Sequence, residues 1–136
     1  MKEPEINATA EAELLVAPAD LASALGLEAG DSYPPVFSTS RMVALMEIAA
    51  SRVLRPLLAA DEQSVGVTID VAHTAATPSG VKVTATARYL GREGKLFVFE
   101  VVAHDPGGEI GRGTHKRAVV STERLLAGAG RRNKSI

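Results

Sequence analysis

The apolar positions of this chain change period near its middle. Between residues 41 and 60, Met42, Val43, Leu45, Met46, Ile48, Ala49, Val53, Leu54, Leu57 and Leu58 recur around most of a helical wheel. An apolar surface that wide predicts a long helix buried on nearly every side. Ser38-Thr39-Ser40, just ahead of it, supplies hydroxyls of the kind that cap helix N-termini. Pro56 is expected to bend or fray the final turn. After Asp61-Glu62-Gln63 the spacing shortens to two, the period of a strand. Val65, Val67, Ile69 and Val71 alternate, and so do Val81, Val83, Ala85, Ala87 and Tyr89. Residues 95–104, rich in Phe and Val, predict a further strand, and residues 109–124 a last long one. Pro78-Ser79-Gly80, Gly91-Arg92-Glu93-Gly94 and Asp105-Pro106-Gly107-Gly108 mark the turns between them. Upstream, residues 11–16 predict a first strand and residues 20–27 a short helical turn. Residues 26–35, with two glycines and Pro34-Pro35, predict a loop that could cover a pocket.

A strand, one long apolar helix, then four strands joined by tight turns is the order of an α+β hot-dog fold. In that layout an antiparallel sheet wraps around one long central helix. A single sheet covers one side of the helix and leaves strand edges open. A homodimer joined edge to edge is therefore expected. The predicted boundaries are a flexible N-terminus over residues 1–10, one domain over residues 11–126, and a disordered tail over residues 127–136.

Composition narrows the chemistry. The 136 residues fit one domain, and a chain of this size buries only about two-thirds of its unfolded surface. A formal net charge of −1 argues against nucleic acid as a partner. The absence of cysteine removes disulfides, thiolate nucleophiles and thiolate metal sites. The polar start Met1-Lys2-Glu3-Pro4-Glu5 lacks the apolar core of a signal peptide. No apolar run approaches the roughly 20 residues needed to span a bilayer. No membrane association is expected, and the cytoplasm is the expected compartment.

Three residues stand out. Glu47 is the one acid in the apolar half of the long helix. A carboxylate buried there is costly unless partnered, so it either escapes to solvent through a gap or serves a site. His73 ends the alternating set Val65 to Val71 and shares its face by the period of two. It is either a core histidine held by a carbonyl or the imidazole of an acid–base pair with Glu47. Thr39 is either a helix cap or a hydroxyl poised beside the free N–H groups of a helix start. Eight residues separate Thr39 from Glu47, about 12 Å of axial rise, so contact between them within one chain is not guaranteed. His104 sits at a turn and His115 in a strand. With no short ligand spacing among the three histidines, no metal site is expected. Arg112, Lys116 and Arg117 are either a solvated strand face or contacts for the phosphates or a carboxyl group of a ligand.

Several blocks carry a resemblance. Val36-Phe37-Ser38-Thr39-Ser40-Arg41-Met42-Val43-Ala44-Leu45-Met46-Glu47 resembles the helix-opening segment of the fluoroacetyl-CoA thioesterase family. Val71-Ala72-His73-Thr74-Ala75-Ala76-Thr77-Pro78 resembles that family's histidine strand, and Gly111-Arg112-Gly113-Thr114-His115-Lys116-Arg117-Ala118-Val119 its last strand. The likeness runs in register from about residue 36 to about residue 123. It implies hydrolysis of a small acyl-CoA to free acid and CoA, with no cofactor beyond the CoA of the substrate. It implies a catalytic group of Thr39, Glu47 and His73, a glycine near the thioester at Gly66, and a substrate-contacting arginine at Arg117. Tyr33 stands at one position of the family's phenylalanine-bearing lid and Gly30 at another, which implies a different acyl preference. The alternatives are a non-catalytic acyl-CoA or small-ligand binding protein and an acyl-CoA hydratase. The hydratase needs an Asp and a His near a helix start, whereas Asp70 and His73 fall on a predicted strand.

Overall fold

A computed structural model describes residues 2–134. The elements are β1 (Thr9–Leu15), α1 (Thr39–Leu54), β2 (Glu62–His73), β3 (Lys82–Glu93), β4 (Leu96–Asp105), β5 (Gly108–Ser121) and α2 (Thr122–Arg132). Short 3₁₀ turns at Pro18–Asp20, Ala22–Ala24 and Arg55–Leu57 connect them. All five strands pair antiparallel in the order β1-β3-β4-β5-β2, so β1 and β2 are the edges. The helix-then-four-strands order expected from the sequence is the order observed, and the fold is the hot-dog layout.

The alternation along β3 and β4 places Val83, Ala85, Ala87, Tyr89, Phe97, Phe99, Val101 and Ala103 on one fully covered face. Against it lies α1, through Met42, Leu45, Met46, Ala49, Ala50, Val53 and Leu54. That spacing of three and four is a single helix face. Near-complete burial of the helix was expected, and it is not found within the chain: Ile48 is 44% exposed. The α-helix also stops at Leu54 rather than at residue 60, passing into a 3₁₀ turn at Arg55–Leu57. Pro56 explains this, because its ring lacks an N–H and clashes with the preceding turn.

Two glycines of β5 set how closely the helix and β2 approach it. A Cβ on Gly111 would stand 2.7 Å from the Met42 Sδ and 2.7 Å from the Ala72 carbonyl oxygen. One on Gly113 would collide with the Asp70 carbonyl oxygen. The first turn of α1 is thereby drawn onto β5 and the end of β2.

Both termini are more ordered than the sequence suggested. The Asn7 N–H donates to the Tyr89 carbonyl at 2.8 Å, and the buried Tyr89 hydroxyl donates to Glu3 at 2.9 Å. In place of a tail from residue 127, α2 runs to Arg132; Met1 and residues 135–136 lie outside the described residues. Gly128 and Gly130 argue against a helix. Ser121 offsets them by accepting from the Arg124 N–H at 3.3 Å, and so do Glu123 in the first turn and Arg131 and Arg132 in the last. Among the described residues no helix is long and apolar enough to cross a membrane.

Candidate active site

The N-terminus of α1 meets the C-terminus of β2. Ser38 is the N-cap, its Oγ accepting from the Arg41 N–H at 3.1 Å. That leaves the Thr39 hydroxyl free, and its Oγ1 lies 2.8 Å from His73 Nδ1. The Phe37 ring meets the imidazole edge-on, centroids 6.4 Å apart. Among the described residues the other ring nitrogen, His73 Nε2, is buried with no hydrogen-bond partner. Burial pulls the His73 pKa below its usual 6.5, against a smaller opposite effect from the nearby Ala75 backbone, and favours the neutral ring. Thr39 and His73 line a cavity of about 330 Å³ whose other walls include Val36, Phe37, Ala75 and Ala76.

A second group gathers further along α1. Glu47 Oε2 lies 3.3 Å from Arg117 Nη1, the carboxylate side chain 39% exposed and the guanidinium 8%. Arg117 also donates from Nε to the Ser64 hydroxyl at 3.0 Å and from Nη2 to the Ser64 carbonyl at 2.9 Å. Burial lowers the Arg117 pKa, and Glu47 opposes that shift; the group stays charged at any physiological pH. His115 lies beside this pair, 1% exposed. Glu47, Gly66, Thr68 and His115 line a smaller cavity of about 190 Å³.

The local geometry of β2 makes this second group possible. Its register against β5 slips between Gly66 and Thr68, so Val67 is an extra residue in the ladder, a β-bulge. Past the bulge, Ile69 and Val71 pack against the core, with His73 two residues further on the same face. Before it the parity is reversed. Ser64 and Gly66 face the helix, and the bulged Val67 is 51% exposed. The expectation that Val65 and Val67 share the face of Ile69, Val71 and His73 is thereby corrected. Gly66 has no room for a side chain, since a Cβ there would run into the Glu47 carboxylate and stand 3.2 Å from His115 Cε1.

Within one chain, then, Thr39 pairs with His73, and Glu47 pairs with Arg117 beside Gly66. The expected Glu47–His73 pair does not form within the chain. Glu47 is also less buried than its apolar surroundings implied. Tyr33 is 50% exposed and does not line the Thr39–His73 cavity, whereas its neighbour Pro34 does. His104 is exposed, as its turn position predicted. The sequence reading gave no role to His115 or Ser64. The signal for His115 was present, because alternation along β5 puts it on the same face as Arg117. Among the described residues no three His, Asp or Glu side chains gather as metal ligands would.

A five-stranded antiparallel sheet curled over one helix is the layout of the hot-dog thioesterases that the chain resembles. A profile of the fluoroacetyl-CoA-specific thioesterase family matches residues 16–123. The fluoroacetyl-CoA thioesterase of Streptantibioticus cattleyicolor is 48% identical over 95 residues, 70% of this chain and 68% of that protein. A solved structure of the fluoroacetyl-CoA thioesterase FlK superposes with a TM-score of 0.90 at 38% identity, covering 99% of this chain and 100% of that one. A thioesterase superfamily member from Thermus thermophilus superposes with a TM-score of 0.86 at 26% identity, covering 96% of this chain and 94% of the other. The chain belongs to the fluoroacetyl-CoA-specific thioesterase family.

Proposed function

We propose that this chain hydrolyses small acyl-CoA thioesters to free acid and CoA, and that its catalytic group of Thr39, Glu47 and His73 is completed between two copies of the chain. The observation that carries the shared site is the unpartnered, buried His73 Nε2. Its own chain's Glu47 lies about 12 Å further along the α1 axis than Thr39, the residue bonded to His73. Both halves border the same edge strand: His73 ends β2, and Gly66, against Glu47, lies on it. Antiparallel pairing of β2 with β2 of a second copy, centred near Asp70, brings the Glu47–Gly66 half of one protomer to the Thr39–His73 half of the other. The same pairing covers an exposed edge and the open flank of α1 around Ile48.

In that site Glu47 takes a proton from water, and the resulting hydroxide attacks the acyl carbon. The oxyanion forms beside Thr39 and Ser40, whose backbone N–H groups precede the intrahelical ladder of α1. The C–S bond breaks, and the thiolate of CoA takes up a proton at the site. His73, neutral and fixed through Nδ1 by Thr39, presents Nε2 to the reacting groups. Arg117 holds Glu47 in place. The reaction consumes only water and the acyl-CoA.

The acyl pocket is the cavity walled by Val36, Phe37, Ala75 and Ala76. Phenylalanines are absent at the lid positions Tyr33 and Gly30, and of this stretch Pro34, next to Tyr33, reaches the cavity. The lid therefore departs from the family's pattern, and a preference for the fluorinated acyl group is not expected. A mutant of the related fluoroacetyl-CoA-specific thioesterase FlK, a phenylalanine changed to alanine, has been crystallised with fluoroacetate and CoA, so CoA esters are the substrates to test. The experiment is thiol release from acetyl-, propionyl-, phenylacetyl- and fluoroacetyl-CoA by the wild type and Glu47→Gln. Turnover of the small esters, with a loss of about 100-fold or more in the variant, is expected. Near-normal rates in Glu47→Gln would end the assignment of the acid. Binding without thiol release across the panel would point to a non-catalytic protein.

A further inference from the structure

His115 sits on β5, two residues before Arg117 and facing the same way, and it is 1% exposed. Its Nδ1 lies 2.8 Å from the Thr68 carbonyl oxygen, which can only accept. Nδ1 therefore carries the proton. Its Nε2 lies 3.1 Å from Arg117 Nη1, which can only donate. Nε2 must therefore be a bare acceptor. The two contacts together select one tautomer of one protonation state, the neutral Nδ1–H imidazole. An imidazolium would set an N–H against the N–H of a guanidinium.

Arg117 is anchored at its other two nitrogens. Nε and Nη2 are both committed to Ser64 on β2. Only Nη1 remains, with two hydrogens and two partners, Glu47 Oε2 and His115 Nε2. We infer that His115 is a positioning residue for hydrolysis: its neutral Nε2 holds the Nη1 end of Arg117 in the plane where the second Nη1 hydrogen meets Glu47, so the carboxylate stays seated over Gly66. Without that acceptor the planar guanidinium loses one of the contacts that fix its plane and can tilt as a rigid unit about its Ser64 contacts, carrying the carboxylate with it. Burial keeps His115 neutral by pulling its pKa below 6.5; the Thr68 carbonyl pulls the other way, the Arg117 charge lowers it further, and Glu47 raises it. The inference rests on the role given to Glu47 above and adds the residue that orients it through Arg117.

The test has one measurement on the wild type and a set of variants. Long-range proton–nitrogen correlation of the histidine rings is expected to show a neutral His115 protonated at Nδ1 at pH 7. A ring protonated at Nε2, or at both nitrogens, overturns the inference without any mutation. His115→Leu is expected to lower kcat about 10- to 100-fold, the scale of a small misplacement of a reacting group, with little change in KM. His115→Gln, which keeps a neutral acceptor for Nη1, should recover most of that loss. In an Arg117→Ala background His115→Leu should cost almost nothing more, because the arginine through which it acts is gone. An equal loss in both backgrounds, or wild-type kcat in His115→Leu, overturns the inference. These outcomes are separable from a failure of the Glu47 assignment, which Glu47→Gln decides alone. If His115→Leu does not fold, the nitrogen spectrum of the wild type and the His115→Gln kinetics carry the decision.

Discussion

Two neighbouring hydroxyls at the start of α1 divide two tasks that one sequence motif left merged. Ser38 caps the helix and Thr39 bonds His73, so the variants should separate cleanly. Ser38→Ala should cost about 1 kcal/mol of stability, the usual worth of such a cap, read as a lowered urea midpoint at unchanged slope. Thr39→Ala should leave that midpoint near the wild type and lower thioester turnover, because it frees the imidazole to rotate. The histidines also set a pH response. For both His73 and His115 burial lowers the pKa in the folded state below 6.5. The unfolded chain therefore takes up these protons first as the pH falls. Stability from this source is complete above the ordinary imidazole value and is lost as the pH drops below it toward the folded-state values. Urea midpoints should fall between pH 8 and pH 5.5, and less steeply in His115→Gln. An unchanged midpoint across that range would show that neither ring is held neutral.

At the scale of elements, the bulge in β2 decides which residues meet. It puts Gly66 beneath Glu47 while keeping Ile69, Val71 and His73 on the core side. Gly66→Ala should fold, since the atom it meets first is the far end of the Glu47 side chain. It should nevertheless lose most turnover, because the carboxylate must move; circular dichroism and thiol release read the two effects apart. The bulge also marks the limit of what pattern reading could reach. Alternation correctly joined His73 to Ile69 and Val71, and it placed Val83, Ala85, Ala87 and Tyr89 together on the buried face of β3. It assigned Val65 and Val67 to the wrong face, because one extra residue in a ladder leaves no trace in composition. The Glu47–Arg117 contact, 70 residues apart in sequence, was equally beyond periodicity. Thr39, Glu47 and His73 were legible one by one from residue type and place. Their division into two pairs was not, since it depends on how far along α1 each strand crosses. The helix α2 was missed because Gly128 and Gly130 outweighed the Ser121 cap and the end charges in a local reading.

For the whole molecule, a site built from two protomers makes a prediction that a site within one chain does not. Glu47→Gln and His73→Ala should each abolish turnover alone. Mixed, unfolded together and refolded, half the dimers pair one variant with the other. In those dimers one site holds both lesions and the other holds none. Activity should then return to about a quarter of the wild-type value, the fraction that random pairing in a two-fold dimer yields. Thiol release from the refolded mixture measures it. No recovery, with mixed dimers confirmed by mass, would place the whole group within single chains.

The kink at Val67 has a further consequence for which molecules can join the sheet. A straight twelve-residue margin would accept any extended strand and could grow without end, as fibrils do. A margin broken by one surplus residue interrupts the ladder and twists the edge, which shortens the stretch a foreign strand can pair with. The irregularity that seats the acid therefore also guards this edge against open-ended pairing.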